Sequence, residues 1–392
     1  MPKKLCNLYL LLSLLFLGIH AYGQDPVNEP PKKGFLTRYI NNIFNDTVSQ
    51  EKSQFLIYPV LGSRPETGLE FGVAPLFVFY AKEDTSNRLS EINAYAFFTA
   101  NGQYGLRINH AVYSNQDKWF FLGDLDFEQF PLKYYGIGNT VPDENIALVD
   151  ATQIQIKERV LRKVLKNFYI GLETDFRSLS NVSFEAPEDD NQELDIDLPF
   201  GAEGTTNLGL GIGFVYDERH NVLNERNAFF SEFAYLNYNP FWQSKAENQL
   251  ITTDSRYFKS IGERDVLAAQ LLGQFNFGGN VPFNQLSYLG GESIMRGYFE
   301  GKYRDNNQIA AQIEYRFLPL KLGFTDRLGA TLFTAVGEVF DGWNEIRMNN
   351  LKWSAGAGAR FLMFQQKDIY LRFDYAVTRD GNNFYLSIGE AF

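Results

Sequence analysis

Cysteine is all but missing: Cys6 is the only one in 392 residues, and it falls in an N-terminal stretch that reads as cleaved. No disulfide can staple the exported chain, so its stability must come from another source, and closure of a sheet on itself is one. Histidine is nearly as scarce. His20 lies in the same N-terminal stretch, and His110 and His220 stand far apart in the remainder. Without cysteine or clustered histidines there is no material for a zinc site or a catalytic triad. Neither G-x-S-x-G nor H-E-x-x-H occurs. The sequence therefore points to no enzyme, no metal and no cofactor. A basic surplus is lacking too: 36 Lys and Arg against 47 Asp and Glu leave a net charge of −11. No basic stripe exists to neutralise phosphates, which excludes nucleic acid as a partner. Beyond the N-terminus no apolar run approaches the roughly 20 residues of a transmembrane helix.

What is present begins with an export signal. Lys3 and Lys4 precede an apolar run from Leu8 to Ile19, and Ala21-Tyr22-Gly23 offers small residues for cleavage. The run is too short to span a bilayer, so residues 1–23 read as a signal peptide rather than an anchor. Residues 24–52, with Pro26, Pro30 and Pro31, read as a short periplasmic linker, and 53–392 as one domain. Aromatics make up 16% of the chain. Set beside the missing apolar runs, that richness fits strands that show one face to lipid and the other to water.

The pattern from about Gln54 onward has period two. Tyr104, Leu106, Ile108 and Val112 oppose Gln103, Gly105, Arg107 and Asn109. Ile309, Ala311, Ile313, Tyr315 and Phe317 oppose Gln308, Gln312, Glu314 and Arg316, and Ile369 to Val377 repeats the scheme against Arg372 and Asp374. Side chains alternate across a strand, so each segment has an apolar wall and a charged wall. A soluble sandwich also alternates, but its turns come every 8–12 residues. Here the segments are longer and their polar faces carry both signs of charge, as in a water-filled lumen. Counting from 54–61 to 383–392 gives sixteen strands, with long connections at 129–150, 179–205 and 278–306 and short ones at 114–116, 164–166 and 363–366. The expected fold is an all-β, transmembrane antiparallel barrel of about sixteen strands in the outer membrane of a Gram-negative bacterium, in contact with its lipids. Gly209, Gly211 and Gly213 alternate with Leu208, Leu210, Ile212 and Phe214. They are one face of a strand that leaves room inside the lumen, not a dinucleotide loop. The acidic run Glu185 to Asp197 lacks calcium-loop spacing and reads as a solvated loop.

One stretch carries a sharper signal. Gly290-Gly291-Glu292-Ser293-Ile294-Met295-Arg296-Gly297-Tyr298, followed by Gln312-Ile313-Glu314-Tyr315-Arg316-Phe317, resembles the signature of the BamA/TamA assembly-barrel superfamily. Those proteins carry a [VI]-R-G-[FY] tetrad on the sixth long loop, which folds back into the lumen, and here the tetrad is Met295-Arg296-Gly297-Tyr298. Asp217-Glu218-Arg219-His220-Asn221 is similar to the family's D-x-R-x-N turn, and Phe392 ends the chain as the family's last strand commonly does. An arginine in a lumen needs a planar acceptor, which Glu314 on the inward face of its strand supplies. Ala335 stands where the family usually has an aspartate, and Glu225 and Ala228 replace a proline and a glycine. The 29 residues from Gln24 to Lys52 are too few for a POTRA domain, so the chain reads as a barrel-only member. The resemblance implies insertion or translocation of client outer-membrane proteins, with assembly-complex subunits as partners. The alternative is a passive transport or structural barrel that has lost this activity. Pro59 near the first strand and Gly389 and Phe392 near the last mark the expected gate seam, since proline donates no ladder hydrogen bond.

Overall fold

The computed structural model describes residues 51–392 apart from 65–67, 101, 188–193, 321 and 366–367. The expected signal peptide, nearly all of the linker and the centre of the acidic run lie outside the described residues.

Eighteen strands follow one another: β1 (Gln54–Arg64), β2 (Gly68–Tyr80), β3 (Leu89–Thr99), β4 (Tyr104–Tyr113), β5 (Trp119–Tyr134), β6 (Ala147–Leu165), β7 (Phe168–Glu185), β8 (Thr205–Asp217), β9 (Ala228–Tyr238), β10 (Asn248–Ile261), β11 (Asp265–Phe277), β12 (Ser287–Tyr288), β13 (Arg304–Asp305), β14 (Asn307–Phe317), β15 (Leu328–Phe340), β16 (Lys352–Phe364), β17 (Ile369–Thr378) and β18 (Gly381–Ile388). Sixteen of them form one antiparallel sheet in chain order, with β11 paired directly to β14. The remaining two, β12 and β13, form a two-residue ladder inside the connection between β11 and β14. The sheet curls until β18 lies beside β1. Among the described residues no ladder joins those two strands, so the barrel is nearly closed.

The period-two pattern sorts as the physics of alternation requires. On β7, Ile170 and Leu172 are exposed on the outer wall while Tyr169, Glu173 and Asp175 are buried inside. On β17, Phe373, Tyr375 and Val377 face out and Asp374 and Ala376 face in. The glycines of β8 make the room expected of them: Tyr238 fills the space over Gly209, and Arg159 lies over Gly213.

The largest differences from the sequence reading are in length. β5, β6 and β7 run on into what read as loops, with Pro131 opposite Asp150 and Leu148 opposite Glu185, so the wall there stands taller than elsewhere. Polar residues continue the ladder once the main chain of a neighbour is available to pair. At the chain's end the opposite happens. β18 stops at Ile388, and Gly389, with φ at 80°, turns the last residues away from the strand. Phe392 is therefore not part of the seam strand. It packs inside against Phe258, ring centroids 6.1 Å apart, beside Ala228 and Ala268.

Candidate functional site

The connection at 278–306 turns inward because its own apolar residues have partners there. Leu289, Ile294, Met295, Tyr298 and Tyr303 are buried against Ala310 of β14 and Ala335 and Val339 of β15. The tip needs unusual backbone angles: φ is 53° at Met295 and 105° at Gly297. A Cβ on Gly297 would meet Thr378 Cγ2 at 2.5 Å, so only glycine fits this close to the wall.

Arg296 is 1% exposed and lies between two carboxylates. One guanidinium nitrogen pairs with Glu314 of β14, and the other reaches Asp374 Oδ2 of β17 at 2.5 Å. The guanidinium also lies over the ring of Phe333, 3.6 Å from its centroid. β15 presents Ala335 on this face, and Asp374 of β17 supplies the second carboxylate. From there the charges continue into a closed ring. Glu314 Oε2 takes Arg316 Nε at 2.9 Å, and Arg316 stands 3.7 Å from Glu390. Glu390 pairs with Arg360 at 2.9 Å, and Arg360 pairs with Asp374 Oδ1 at 2.6 Å, which returns to Arg296. Three arginines and three acids alternate, so each buried charge has an opposite on both sides. That is the condition under which buried ions are tolerated.

The loop also grips the last strand. The Gly297 N–H donates to Tyr385 Oη at 2.8 Å, and Asn383 Nδ2 donates to the Gly297 carbonyl at 2.8 Å. Both partners are on β18. Tyr298 Oη donates to the Trp353 carbonyl at 3.0 Å, and Ser354 Oγ donates to the Arg296 carbonyl, which adds β16.

The turn motif sits at the short-turn end. Asp217 is fully buried and accepts from Arg219 Nε and Nη2 at 3.1 Å each, from the Arg219 N–H at 2.8 Å and from Tyr113 Oη at 2.6 Å. Asn221 Oδ1 accepts from the Leu223 N–H at 3.0 Å. Glu225 accepts from the main-chain N–H of His220 and Arg226 and so shapes the turn itself. Segment 218–227 then crosses under the lumen. The His220 carbonyl takes the Leu89 N–H, and the Leu223 carbonyl takes the Glu390 N–H. Arg226 binds Asp368 in the turn between β16 and β17. Burial works against the Arg226 charge, yet its bond with Asp368 prevails and holds the guanidinium above its ordinary pKa.

Of the expected seam residues, Pro59 lies opposite Val73 on β2 and lines a cavity of about 280 Å³ with Tyr58, Val60, Leu386 and Ser387 from both sides of the seam. Gly389 is the pivot beyond β18, and Phe392 lies inside the barrel, its carbonyl accepting from Arg316 at 3.2 Å. Sequence reasoning placed Glu314 and Arg316 on one strand face but did not find the roles of Arg360, Asp374 or Glu390. Their inward parity on β16 and β17 was the signal available for the first two.

Residues 98–392 match the Omp85 superfamily domain. Among solved structures, BamA from Haemophilus ducreyi lacking POTRA domains 1–3 superposes with a TM-score of 0.51 at 14% identity, over 86% of this chain and 69% of that one. CdiB from Acinetobacter baumannii gives 0.52 at 12% identity, over 86% of this chain and 59% of that one. At such identities the likeness carries the fold alone. No curated protein matches the sequence.

Proposed function

The chain belongs to the Omp85 superfamily, and on that premise we propose that it inserts or translocates client chains at the outer membrane of a Gram-negative bacterium. In this reading the long loops face outward, the short turns face the periplasm, and the outer wall meets lipid. The observation that carries the reading is the grip of Gly297 on Tyr385 and Asn383. β18 has β17 as a ladder partner on one side and, among the described residues, none on the other. An unpaired strand edge facing hydrocarbon is costly because no water replaces the missing bonds. The loop steadies that strand from inside, and the side toward β1, where no ladder runs among the described residues, is where an incoming strand would pair. Release of Arg296 from Glu314 and Asp374 would free β18 to swing, and a client would enter at the seam. A passive barrel needs no such arrangement. Assembly-complex subunits would deliver the clients.

Locking the seam tests this. Tyr58 and Ser387 line one cavity across it, and Cys6, which precedes β1 in the sequence, is the chain's only cysteine. With cysteines at both positions, outer-membrane protein levels should fall under oxidation and recover on reduction. A fully locked protein that works as well as the unlocked one replaces this reading with the passive barrel.

A further inference from the structure

Two glutamine pairs face each other across β11 and β14, four residues apart. Gln270 is opposite Gln312, and Gln274 is opposite Gln308. The first pair is committed. Gln312 Nε2 donates to Gln270 Oε1 at 2.5 Å and to the Ser293 carbonyl at 2.8 Å, and Gln270 donates to both oxygens of Asp254. The second pair is not. Gln308 is 3% exposed, yet neither its amide nor that of Gln274 hydrogen-bonds another described residue. These amides open onto a cavity, and beside them Asn284 Oδ1 is buried without a partner among the described residues; a buried polar atom left unpaired costs free energy and marks a place where something else binds.

Both amides line a lumen cavity of about 380 Å³ between the loop and the opposite wall. From β6 come Gln153 and Gln155, whose amides are likewise without a partner among the described residues. The lining also carries Arg107 and Arg177 with Glu292 and Glu300, and each arginine is already engaged by another carboxylate, Arg107 by Glu128 and Arg177 by Asp175. Tyr288 adds an aromatic ring. We infer that this chamber binds a neutral, hydroxyl-rich ligand, a sugar of one or two rings. Each amide presents a donor and an acceptor side by side, which matches neighbouring hydroxyls that are each both. With both arginines engaged by carboxylates, the lining offers no uncommitted cation to a phosphate. A volume near the lower end of ligand pockets suits a small molecule, and residues 290–294 of the loop line the chamber, where an extended peptide would need a through path. The site lies where β11 ends and β14 begins, the end of the barrel that carries the long loops. This inference does not depend on the assembly role.

Folded protein in detergent should be titrated calorimetrically with glucose, galactose, maltose and glucose 6-phosphate, each up to about 10 mM. The expected result is saturable binding of at least one neutral sugar, with the phosphate ester weaker than glucose. Gln308→Leu and Gln155→Leu should each weaken that binding about tenfold while the barrel keeps its heat-resistant gel mobility. No binding of any neutral sugar, tighter binding of the phosphate ester, or affinity unchanged in both folded variants overturns the inference. So does binding of an uncharged extended peptide in place of the sugars.

Discussion

Arg159 and Arg296 are built alike and hold different things. Each is buried between two carboxylates: Arg159 binds Glu173 at 2.6 Å and Glu232 at 2.8 Å, and Arg296 binds Glu314 and Asp374. The acids around Arg159 belong to β7 and β9, in a wall where ladders already run from Trp119 to Glu185. Remove the arginine and the wall still has its main-chain bonds. The acids around Arg296 belong to the wall, but the arginine itself belongs to a loop with only a two-residue ladder of its own. The same pairing decorates a rigid sheet in one place and fastens a separable part in the other. What an ion pair can release depends on the mechanical independence of its two halves, not on its strength.

The largest effect should come from Arg296→Ala, which leaves Glu314 and Asp374 buried without their shared cation. Breaking a buried pair this way costs up to about 3–5 kcal/mol, and less here because Glu314 keeps Arg316 and Asp374 keeps Arg360. Limited proteolysis should then cut within 278–306, and the folded band should be lost at lower temperature. A variant whose loop stays protected would put Arg296 in the same class as Arg159. Arg159→Ala should cost about 1–3 kcal/mol, because Glu232 is partly exposed with its side chain at 19%. The expected readout is a lower melting temperature with the loop still resistant to protease. Cleavage of the loop in this variant would break the contrast.

The smallest effect concerns a pair on the outer wall. His110 and Glu158 meet at 3.3 Å across Gly123, whose missing side chain leaves them room. Glu158 lies four residues, roughly 13 Å of strand, before Arg162, which stacks on Trp119 at the start of β5. It fastens nothing that the ladder does not already hold. Replacing both by leucine should leave stability unchanged or raise it by about 1 kcal/mol, measured by denaturant unfolding in vesicles. A large loss would give the outer wall a role in the lock.

The strands were most legible where one face is apolar and the other carries charge, as in Tyr104–Val112 and Ile369–Val377. Their lengths were less so. The outer arms of β5 to β7 carry Pro131, Asp150 and Ser183, residues that read as loop until a neighbour's main chain pairs with them. Glu314 could be named as a partner for Arg296 because both stand in one recognisable stretch. Asp374 could not, since no spacing links residue 296 to residue 374 and only the closing of the sheet brings β17 against the loop. Phe392 read as the end of a strand by its residue type, but the positive φ of Gly389 sends it inward. The glycine was visible and its angle was not.

The central claim is that the Arg296-Gly297 tip steadies the seam strand. Ile57 on β1 and Phe384 on β18 are both exposed on the outer wall, so spin labels there leave the lumen undisturbed. Distances between them, measured by pulsed electron paramagnetic resonance in lipid, should form one narrow population in the parent protein. In Arg296→Ala they should spread and lengthen, while a label pair across β6 and β7 stays unchanged. A seam distance that remains narrow in Arg296→Ala, with the loop shown by proteolysis to be released, would contradict the account.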